Sequence, residues 1–246
     1  MSERLMKTMR ILRDFGRAFL AGVAISIGGS VYLSVENRVA GALLFTVGLF
    51  MVVVNGLLLY TGKVGYLVLE REKRSYLGLL GLTWLGNLAG SLFTGGILRL
   101  TRVCGQLASS GIGEKAAQLS RTKLEDSPWS ILILSFFCGV LMFMAVDGYR
   151  NIPHSAGKCA ALFLGVSVFI LAGFEHCVAN MFYFTLAGAW SAKAVAWLLL
   201  MTLGNSLGGM AVPLLAGRMS GRRERQPAEA VREEESPALK VEVEQH

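Results

Sequence analysis

The sequence predicts an all-α membrane protein with six transmembrane helices in two inverted repeats of three, the second and fifth helices being broken. Three observations support this fold class: a high apolar content, six long apolar stretches, and a motif that recurs in the third stretch of each half. Hydrophobic residues make up 53% of the 246 positions and the mean hydropathy is +0.52. Each stretch has about the 20 residues that cross a hydrocarbon core of ~30 Å. The stretches cover residues 18–35, 39–60, 77–98, 129–149, 159–184 and 194–216.

The charges gather at the ends of the apolar stretches. In a soluble protein a net charge of +7 would suggest a nucleic-acid partner, but here membrane topology accounts for it. With six spans, both termini and the loops 70–76 and 150–158 share one side, which carries fourteen Lys and Arg near the membrane against seven opposite. The positive-inside rule therefore predicts that both termini are cytoplasmic. The expected location is a bacterial or archaeal cytoplasmic membrane, and no nucleic-acid partner is expected.

The two ends of the chain differ from its centre. Residues 1–17 contain Glu3 and Asp14, and no small-residue cleavage site follows, so a cytoplasmic amphipathic helix is favoured over a signal peptide. Residues 18–218 form the six-span pore domain. Residues 219–246 are charged, contain Pro and lack aromatic residues, which is typical of a disordered cytoplasmic tail.

The four cysteines have no close pairing and no metal-ligand spacing. Three of them fall in or beside apolar stretches, where cysteine behaves as a small hydrophobic residue. The sequence therefore predicts no disulfide framework, no metal site and no cofactor. The cysteines are Cys104, Cys138, Cys159 and Cys177.

An internal repeat organises the apolar stretches. The pattern LGNxxG occurs at 85–90 and again at 203–208, with its asparagines, Asn87 and Asn205, 118 residues apart. Because each half has an odd number of spans, the second copy must be inverted in the membrane. Inverted repeats are a common plan for transport proteins, with the site near the midplane at the repeat interface.

Polar residues interrupt the second stretch at Thr61-Gly62-Lys63 and the fifth at Glu175-His176. Thr61 lies 26 residues before Asn87, and His176 lies 29 before Asn205. Irregular backbone at membrane depth is tolerated where it is buried in protein or lines a cavity. Two breaks in matching positions therefore predict one central pathway.

Two interpretations of the repeated motif stay open at its asparagines. The glycines four residues apart in each motif allow close helix packing. A buried Asn87 or Asn205 can either tie a broken helix end or contact a substrate, and both are placed in the candidate pathway.

The string GFEHCVANMF, residues 173–182, brings ionisable side chains into a predicted span, where such groups are functional candidates. Together with both LGNxxG segments, LYTG at 59–62 and AGVAISIGG at 21–29, it resembles the formate/nitrite transporter family over 10–217. The resemblance implies an aquaporin-like fold and a homopentamer with one pore per protomer. It also implies transport of a small monovalent weak-acid anion such as formate, nitrite or hydrosulfide.

The resemblance also implies roles for individual residues. His176 matches the central pore histidine, and Thr61 matches the threonine that faces it. Lys123 and Lys158 match an outer and an inner vestibule lysine. The hydrophobic constrictions correspond to Phe45, Leu49, Leu59, Tyr60 and Phe169.

Three positions depart from the family pattern. Tyr60 stands where many members have Phe, and so brings a hydroxyl to one constriction. Lys63 replaces a neutral polar residue, and Gly139 replaces an asparagine of the fourth span.

A transport mechanism follows from these residues. A bare anion at an apolar constriction faces a Born penalty of order tens of kcal/mol, whereas the neutral acid does not. Vestibule lysines would concentrate the anion, and His176, with an unperturbed pKa of about 6.5, could exchange a proton near neutral pH. The sequence does not decide whether His176 donates a proton or only a hydrogen bond.

Glu175 and Asn180 are predicted to be structural. Adjacent residues of a helix face different ways, so Glu175 is not expected to pair with His176. It would accept hydrogen bonds at the break in span five or neutralise a nearby lysine. Asn180 would likewise hold the broken helix in shape.

Two other function classes have less support in the sequence. An enzyme would need a nucleophile oriented by a base across the bundle, whereas Glu175, His176 and Cys177 are neighbours splayed around one helix, and the sequence contains no HExxH metal site. A neutral-solute channel of the aquaporin kind would share the architecture, but the paired Asn-Pro-Ala segments of such channels do not occur here.

Overall fold

The computed structural model describes residues 3–104 and 111–220, with side chains for 5–104 and 111–216, and every regular element in these ranges is helical. The predicted tail falls outside the described residues except for its first two positions, which end the last helix. The helices are α1 (Glu3–Ser34), α2 (Arg38–Val54), α3 (Tyr60–Lys63) with a 3-10 helix after it (Val64–Val68), α4 (Lys73–Leu98), α5 (Ile112–Glu125), α6 (Pro128–Asn151), α7 (Ser155–Leu171), α8 (Cys177–Ala187) and α9 (Ala192–Ser220).

Four of these helices, α1, α4, α6 and α9, are long and apolar enough to cross a membrane. The shorter apolar helices α2, α7 and α8 are pieces of two further spans: α2 is followed by α3 and the 3-10 helix, and α7 is followed by α8. The predicted all-α fold with broken second and fifth helices is therefore confirmed. The predicted N-terminal helix and the first span form one helix, α1.

The break in the second span lies earlier than predicted. Helix α2 ends at Val54, and Gly56 follows with φ +60°. Leu57 N–H then donates to Val52 C=O (2.8 Å), as in a glycine-terminated Schellman motif. Thr61 therefore does not interrupt a helix but lies just after the start of the next one, α3. The Asn-Gly pair at 55–56 was the overlooked stop signal in the sequence.

The break in the fifth span is built in the same way. Helix α7 ends at Leu171, Gly173 has φ +75°, and Phe174 N–H donates to Phe169 C=O (2.9 Å). Helix α8 then begins after His176. Here the predicted break at Glu175-His176 lies at the observed helix restart.

The two asparagines of the repeated motif hold the broken ends. Asn87 Nδ2 donates to Leu58 C=O and Ala18 C=O, both at 2.8 Å, and its Oδ1 accepts from Tyr60 N–H at 2.9 Å. This uses both amide hydrogens and the amide oxygen on backbone groups.

Asn205 repeats this arrangement in the other half. Its Nδ2 donates to Glu175 C=O and Ser135 C=O, both at 2.8 Å, and its Oδ1 accepts from Cys177 N–H at 2.9 Å. Each asparagine therefore hydrogen-bonds the backbone carbonyl before and the backbone amide after the residue that precedes a helix. That residue is Leu59 in the first half and His176 in the second.

These contacts correct two predictions. Asn87 and Asn205 are fully buried and their amides are engaged with backbone, so they tie the breaks and do not belong to the pathway. The residue-by-residue correspondence between the two halves also differs from the prediction. Tyr60 corresponds to Cys177, because each donates its backbone N–H to the motif asparagine of its half. The residue equivalent to His176 is therefore Leu59 and not Thr61.

Glycines let the helices of each half approach closely. A Cβ at Gly90 in α4 would overlap the Phe19 carbonyl of α1, and a Cβ at Gly208 in α9 would overlap the Phe136 carbonyl of α6. A Cβ at Gly139 would likewise overlap the carbonyl oxygen of Asn205. This explains the departure at Gly139, where the backbones of α6 and α9 leave no room for a side chain.

A pair of substitutions in α4 tests this packing. Gly90→Ala should lower the melting temperature of the detergent-solubilised protein, because forced overpacking costs about 1–3 kcal/mol. Gly81→Ala is the matched control in the same helix, since no atom lies within 4 Å of its added Cβ. It should melt no lower than wild type, and equal melting of both variants would contradict the close approach of α1 and α4.

Candidate functional site

Two cavities lie beside the two breaks. The histidine cavity, about 100 Å³, is lined among others by Tyr32, Arg38, Phe45, Lys123, Phe169 and His176. The arginine cavity, about 130 Å³, is lined among others by Arg17, Gly56, Leu59, Lys63, Tyr149 and Arg150. The two cavities share no lining residue, so a barrier separates them.

His176 stands at the start of α8 and is 3% exposed. Its Nδ1 accepts the backbone N–H of Ala179 (3.1 Å), which makes the imidazole the N-terminal cap of the helix. Its Nε2 lies 2.8 Å from Thr61 Oγ1. The ring stacks on Phe169 with centroids 5.6 Å apart and planes 21° apart, so three contacts fix its orientation.

Thr61 lies between the two cavities, in contact with His176. It is fully buried and lines neither cavity, whereas the next residue, Gly62, lines the arginine cavity. The contact between Thr61 and His176 therefore lies between the histidine cavity, which His176 lines, and the arginine cavity, which Gly62 lines.

The predicted constriction residues occupy different places. Phe45 and Phe169 line the histidine cavity and meet edge to face, with ring centroids 6.0 Å apart. Leu59 lines the arginine cavity, and Leu49 is buried and lines neither. These four side chains are apolar, and three of them line one or the other cavity.

Tyr60, the fifth predicted constriction residue, lies apart from these four side chains. Its hydroxyl lies 2.9 Å from Ser206 Oγ, and its ring borders a groove between α4 and α9. The expectation that Tyr60 brings a hydroxyl to a constriction is therefore wrong, because the side chain points towards α9.

Lys123 reaches the histidine cavity from α5, the helix between α4 and α6. Its Nζ lies 2.6 Å from Glu175 Oε2, and the side chains are 11% and 5% exposed. The same carboxylate oxygen accepts Asn180 Nδ2 at 2.7 Å. Lys123 thus lines the predicted vestibule, but Glu175 neutralises its charge.

Arg38 is the other cation of the histidine cavity. Its Nη2 donates to Leu171 C=O at the end of α7 (2.8 Å). In the described ranges, no carboxylate lies within ion-pairing distance of Arg38. The unbalanced positive charge of this cavity therefore comes from Arg38, which was not predicted.

The arginine cavity takes its charge from Arg17, Lys63 and Arg150, and Lys158 is not among its lining residues. The Lys158 ammonium lies instead 6.0 Å from the centre of the Tyr149 ring. The expected inner vestibule lysine is thus displaced from the cavity, and three other cations surround it.

Two of these cations are held in place. The Arg17 guanidinium donates to Gly56 C=O in the first break, with Nε at 3.0 Å, and lies 3.7 Å from Asp14. The Arg150 guanidinium lies 4.8 Å from the centre of the Tyr66 ring. Both are therefore fixed at the cavity wall.

Helix α5 was the element that sequence reasoning missed. The sequence analysis placed no element in residues 99–127, because the segment contains no apolar stretch of membrane-spanning length. The signal was its pattern of small or apolar residues four apart, Ile112, Ala116 and Ser120, which form its buried face.

Comparison with known proteins shows the family of this chain. The family model described as "Formate/nitrite transporter" matches residues 4–217. The chain belongs to the formate/nitrite transporter family. The predicted resemblance is thereby confirmed, and the family is one of transporters and channels and not of enzymes.

Several relatives show how far this similarity reaches. The chain is 28% identical over 191 residues to the formate channel FocA of Escherichia coli (strain K12), covering 71% of this chain but just under two thirds (66%) of that channel. It is 28% identical over 228 residues to a probable formate transporter of Methanothermobacter thermautotrophicus, covering 78% and 82% of the two chains.

Solved structures agree with this fold. A pentameric formate channel with formate bound superposes with a TM-score of 0.75 at 25% identity, covering 86% of this chain and 97% of that one. An ion channel of the same family, 22% identical, gives the same TM-score. The predicted fold class is therefore confirmed.

The buried ion pair can be tested by a double-mutant cycle. Lys123→Met should destabilise the protein by about 3–5 kcal/mol, because it leaves Glu175 buried without its cation. The double variant Lys123→Met/Glu175→Gln should recover most of this loss in thermal unfolding in detergent. Lys115→Met is the control on the same helix, since Lys115 forms no ion pair with a described carboxylate. Additive effects of the two single substitutions would contradict the coupling.

Proposed function

We infer that the protein transports a small monovalent weak-acid anion, such as formate, nitrite or hydrosulfide, together with a proton through a pore in each protomer. The observation that carries this proposal is the arrangement of two cation-lined cavities separated by an apolar barrier. A polar contact between His176 and Thr61 lies within that barrier.

The barrier sets the chemistry of permeation. Phe45, Leu49, Leu59 and Phe169 offer no hydrogen bond and no charge to a solute. A bare anion there would lose its hydration at a free-energy cost of order tens of kcal/mol, whereas the neutral acid loses far less. The anion therefore enters a cavity charged, crosses the barrier protonated, and releases the proton beyond it.

The cations explain why an anion would collect at the barrier. Arg38 on one side, and Arg17, Lys63 and Arg150 on the other, raise the local anion concentration and focus the field into two narrow spaces. The uncharged solute of an aquaporin-like channel would gain nothing from them. This charge distribution favours anion transport over the neutral-solute alternative.

The relatives support the substrate class and the assembly. One solved homologue is a pentameric formate channel with formate bound, and several relatives carry formate in their names. We extend this to a homopentamer of the present chain in a bacterial or archaeal cytoplasmic membrane, with both termini in the cytoplasm.

A panel of anions in proteoliposomes tests the function. Formate, nitrite and hydrosulfide are added outside while anion uptake and internal pH are recorded, with empty liposomes correcting for passive diffusion of the acids. Proton-coupled uptake should acidify the interior. Swelling with water or glycerol but no anion uptake would favour the neutral-solute channel, and uptake without acidification would remove proton coupling.

Thr61→Val should strongly reduce anion transport without unfolding the protein, because valine has a similar shape but offers no partner to His176 Nε2. The measurement is initial uptake at matched reconstitution density. Thr46→Val is the matched control, since Thr46 is also fully buried and its hydroxyl has no hydrogen-bond partner among the described residues. Wild-type rates in the Thr61 variant would reduce that residue to a packing role.

The cations of the arginine cavity should matter more than the predicted lysine. Lys63→Gln and Arg150→Gln should each raise the anion concentration for half-maximal uptake about fivefold, since one nearby charge contributes about 1 kcal/mol in water. Lys158→Gln should have a smaller effect, and Lys73→Gln, at the exposed start of α4, should have none. Equal effects of all four substitutions would show that only net charge counts.

A further inference from the structure

Two tyrosines of the histidine cavity have hydroxyl groups that the rest of the described chain does not use. Tyr183 of α8 is 6% exposed and lines the cavity, and Tyr32 of α1 lines it as well. The hydroxyls of Tyr60, Tyr66 and Tyr76 each have a protein partner, whereas those of Tyr32 and Tyr183 form no hydrogen bond within the described ranges. A buried phenol usually finds a partner, so these two hydroxyls are available to a solute.

A glycine brings the two phenol rings to the same wall. A Cβ at Gly29 of α1 would lie 3.3 Å from Tyr183 Cε1, so the Tyr183 ring rests against α1 where no side chain intervenes. Tyr32 follows Gly29 by three residues, which puts it on the same face of α1. The Tyr32 ring also lies against α2, since a Cβ at Gly41 would be 3.2 Å from its Cδ2. The rings therefore meet where α1, α2 and α8 come together.

Arg38 adds an anchored cation to this wall. Its Nη2 donates to Leu171 C=O at 2.8 Å, which holds the guanidinium at the cavity. A guanidinium has five N–H groups. The others make no hydrogen bond to any residue in the described part of the chain, so Arg38 keeps donors for a ligand.

These donors stand at an entrance. Tyr32, Arg38 and Leu119 line both the histidine cavity and a wider cavity of about 530 Å³. The wider cavity also carries Glu36 and Lys115, whose charges oppose each other. A solute that passes from the wider cavity towards the barrier therefore meets Tyr32 and Arg38 first.

We propose that Arg38, Tyr32 and Tyr183 form a binding subsite for an oxyanion, which favours formate and nitrite over hydrosulfide before the solute reaches the barrier. The inference rests on the proposed function, because it names which of the candidate anions the chain selects. The cavity, about 100 Å³, has several times the space that one water molecule needs.

The donor set matches two oxygen atoms better than one sulfur atom. Formate and nitrite each share a negative charge between two oxygens, and a planar guanidinium can donate parallel N–H groups to both. The two phenols add O–H donors, whose bonds to a charged oxygen are short and strong. Hydrosulfide offers a single sulfur atom, a weak acceptor, and cannot satisfy the same donors.

The charges around the subsite keep binding moderate. Lys123 is neutralised by Glu175 at 2.6 Å, so Arg38 is the cation that an anion meets unpaired. None of the described residues that line the cavity is a carboxylate, so no fixed negative charge repels the anion there. A transported solute must bind well enough to enter and weakly enough to leave, which one unpaired cation and neutral donors allow.

Carbon NMR of the full chain in lipid bilayers, with tyrosine labelled at ¹³Cζ, tests the subsite directly. Single Tyr→Phe variants assign the signals, and sodium chloride controls for ionic strength. Formate and nitrite should shift the Tyr32 and Tyr183 signals, and hydrosulfide should need an at least about tenfold higher concentration. Tyr66 and Tyr76, which are bound to protein groups, serve as internal references. Tyr32 and Tyr183 signals that formate leaves unmoved, or that hydrosulfide shifts equally well, overturn the proposal.

Uptake by tyrosine variants tests the selectivity. Tyr183→Phe and Tyr32→Phe should each raise the formate concentration for half-maximal uptake about tenfold, since each removes one hydrogen bond to a charged ligand. The value for hydrosulfide should change less than about threefold. Tyr76→Phe is the matched control, because the Tyr76 hydroxyl is bound to Lys63 C=O (2.8 Å) and the residue does not line the cavity. Equal changes for formate and hydrosulfide would overturn the selective role of the phenols.

Uptake by an arginine variant tests the cation. Arg38→Gln should raise the formate concentration for half-maximal uptake at least about tenfold, because it removes both the charge and the paired donors. Arg121→Gln is the control, since it removes one positive charge from an exposed position on α5. Equal effects of the two variants would show that Arg38 acts only through net charge and would overturn its place in the subsite.

The two proposals fail in distinguishable ways. If the wild-type protein takes up no anion beyond empty liposomes, the proposed function fails, while the tyrosine spectra still report whether formate binds. If uptake is intact and the Tyr32 and Tyr183 signals do not respond to formate, the proposed function stands and the subsite fails.

Discussion

Backbone groups inside a bilayer have no water to bind, so a helix can be interrupted at membrane depth only if the protein itself satisfies the freed amides and carbonyls. In this chain Asn87 and Asn205 meet that requirement, each joining a broken end to a neighbouring helix. The close packing of α4 on α1 and of α9 on α6, made possible by Gly90 and Gly208, brings these asparagines within reach of the breaks. The cavities, the barrier and the orientation of His176 all depend on this support.

The polar groups near the barrier fall into two sets. One set is paired and buried, since Lys123 and Glu175 neutralise each other beside the second break. The other set, represented by Arg38 and Lys63, lines the cavities, and no carboxylate forms an ion pair with either in the described part of the chain. Structural charge and charge available to a solute are therefore carried by different side chains, although all belong to a small region of the protein.

The transmembrane architecture was predicted from the sequence more accurately than the side-chain positions at the candidate site. Apolar length was sufficient for six spans, and the polar residues of 173–182 located the second break and His176, because these features depend on local pattern. Positions that depend on which way a side chain points were not predictable: Tyr60 turns towards Ser206, and Lys158 lies outside the cavity that Arg17 and Arg150 line. The first break was misplaced because the Asn55-Gly56 stop signal was passed over in favour of the polar residues after it.

The equivalence of Leu59 and His176 has a consequence for how such a pore can change. Both residues immediately precede a helix, and in both cases an asparagine hydrogen-bonds the backbone groups on either side. Yet one side chain is aliphatic and the other is an imidazole. These hydrogen bonds involve only main-chain atoms of the flanking residues, so they do not depend on which side chain the residue between them carries. In a duplicated ancestor, positions 59 and 176 would thus have been equivalent. A mutation at one of them could alter what the channel admits while the other position and the helical scaffold stayed intact. The same two positions are natural entry points for redesigning selectivity.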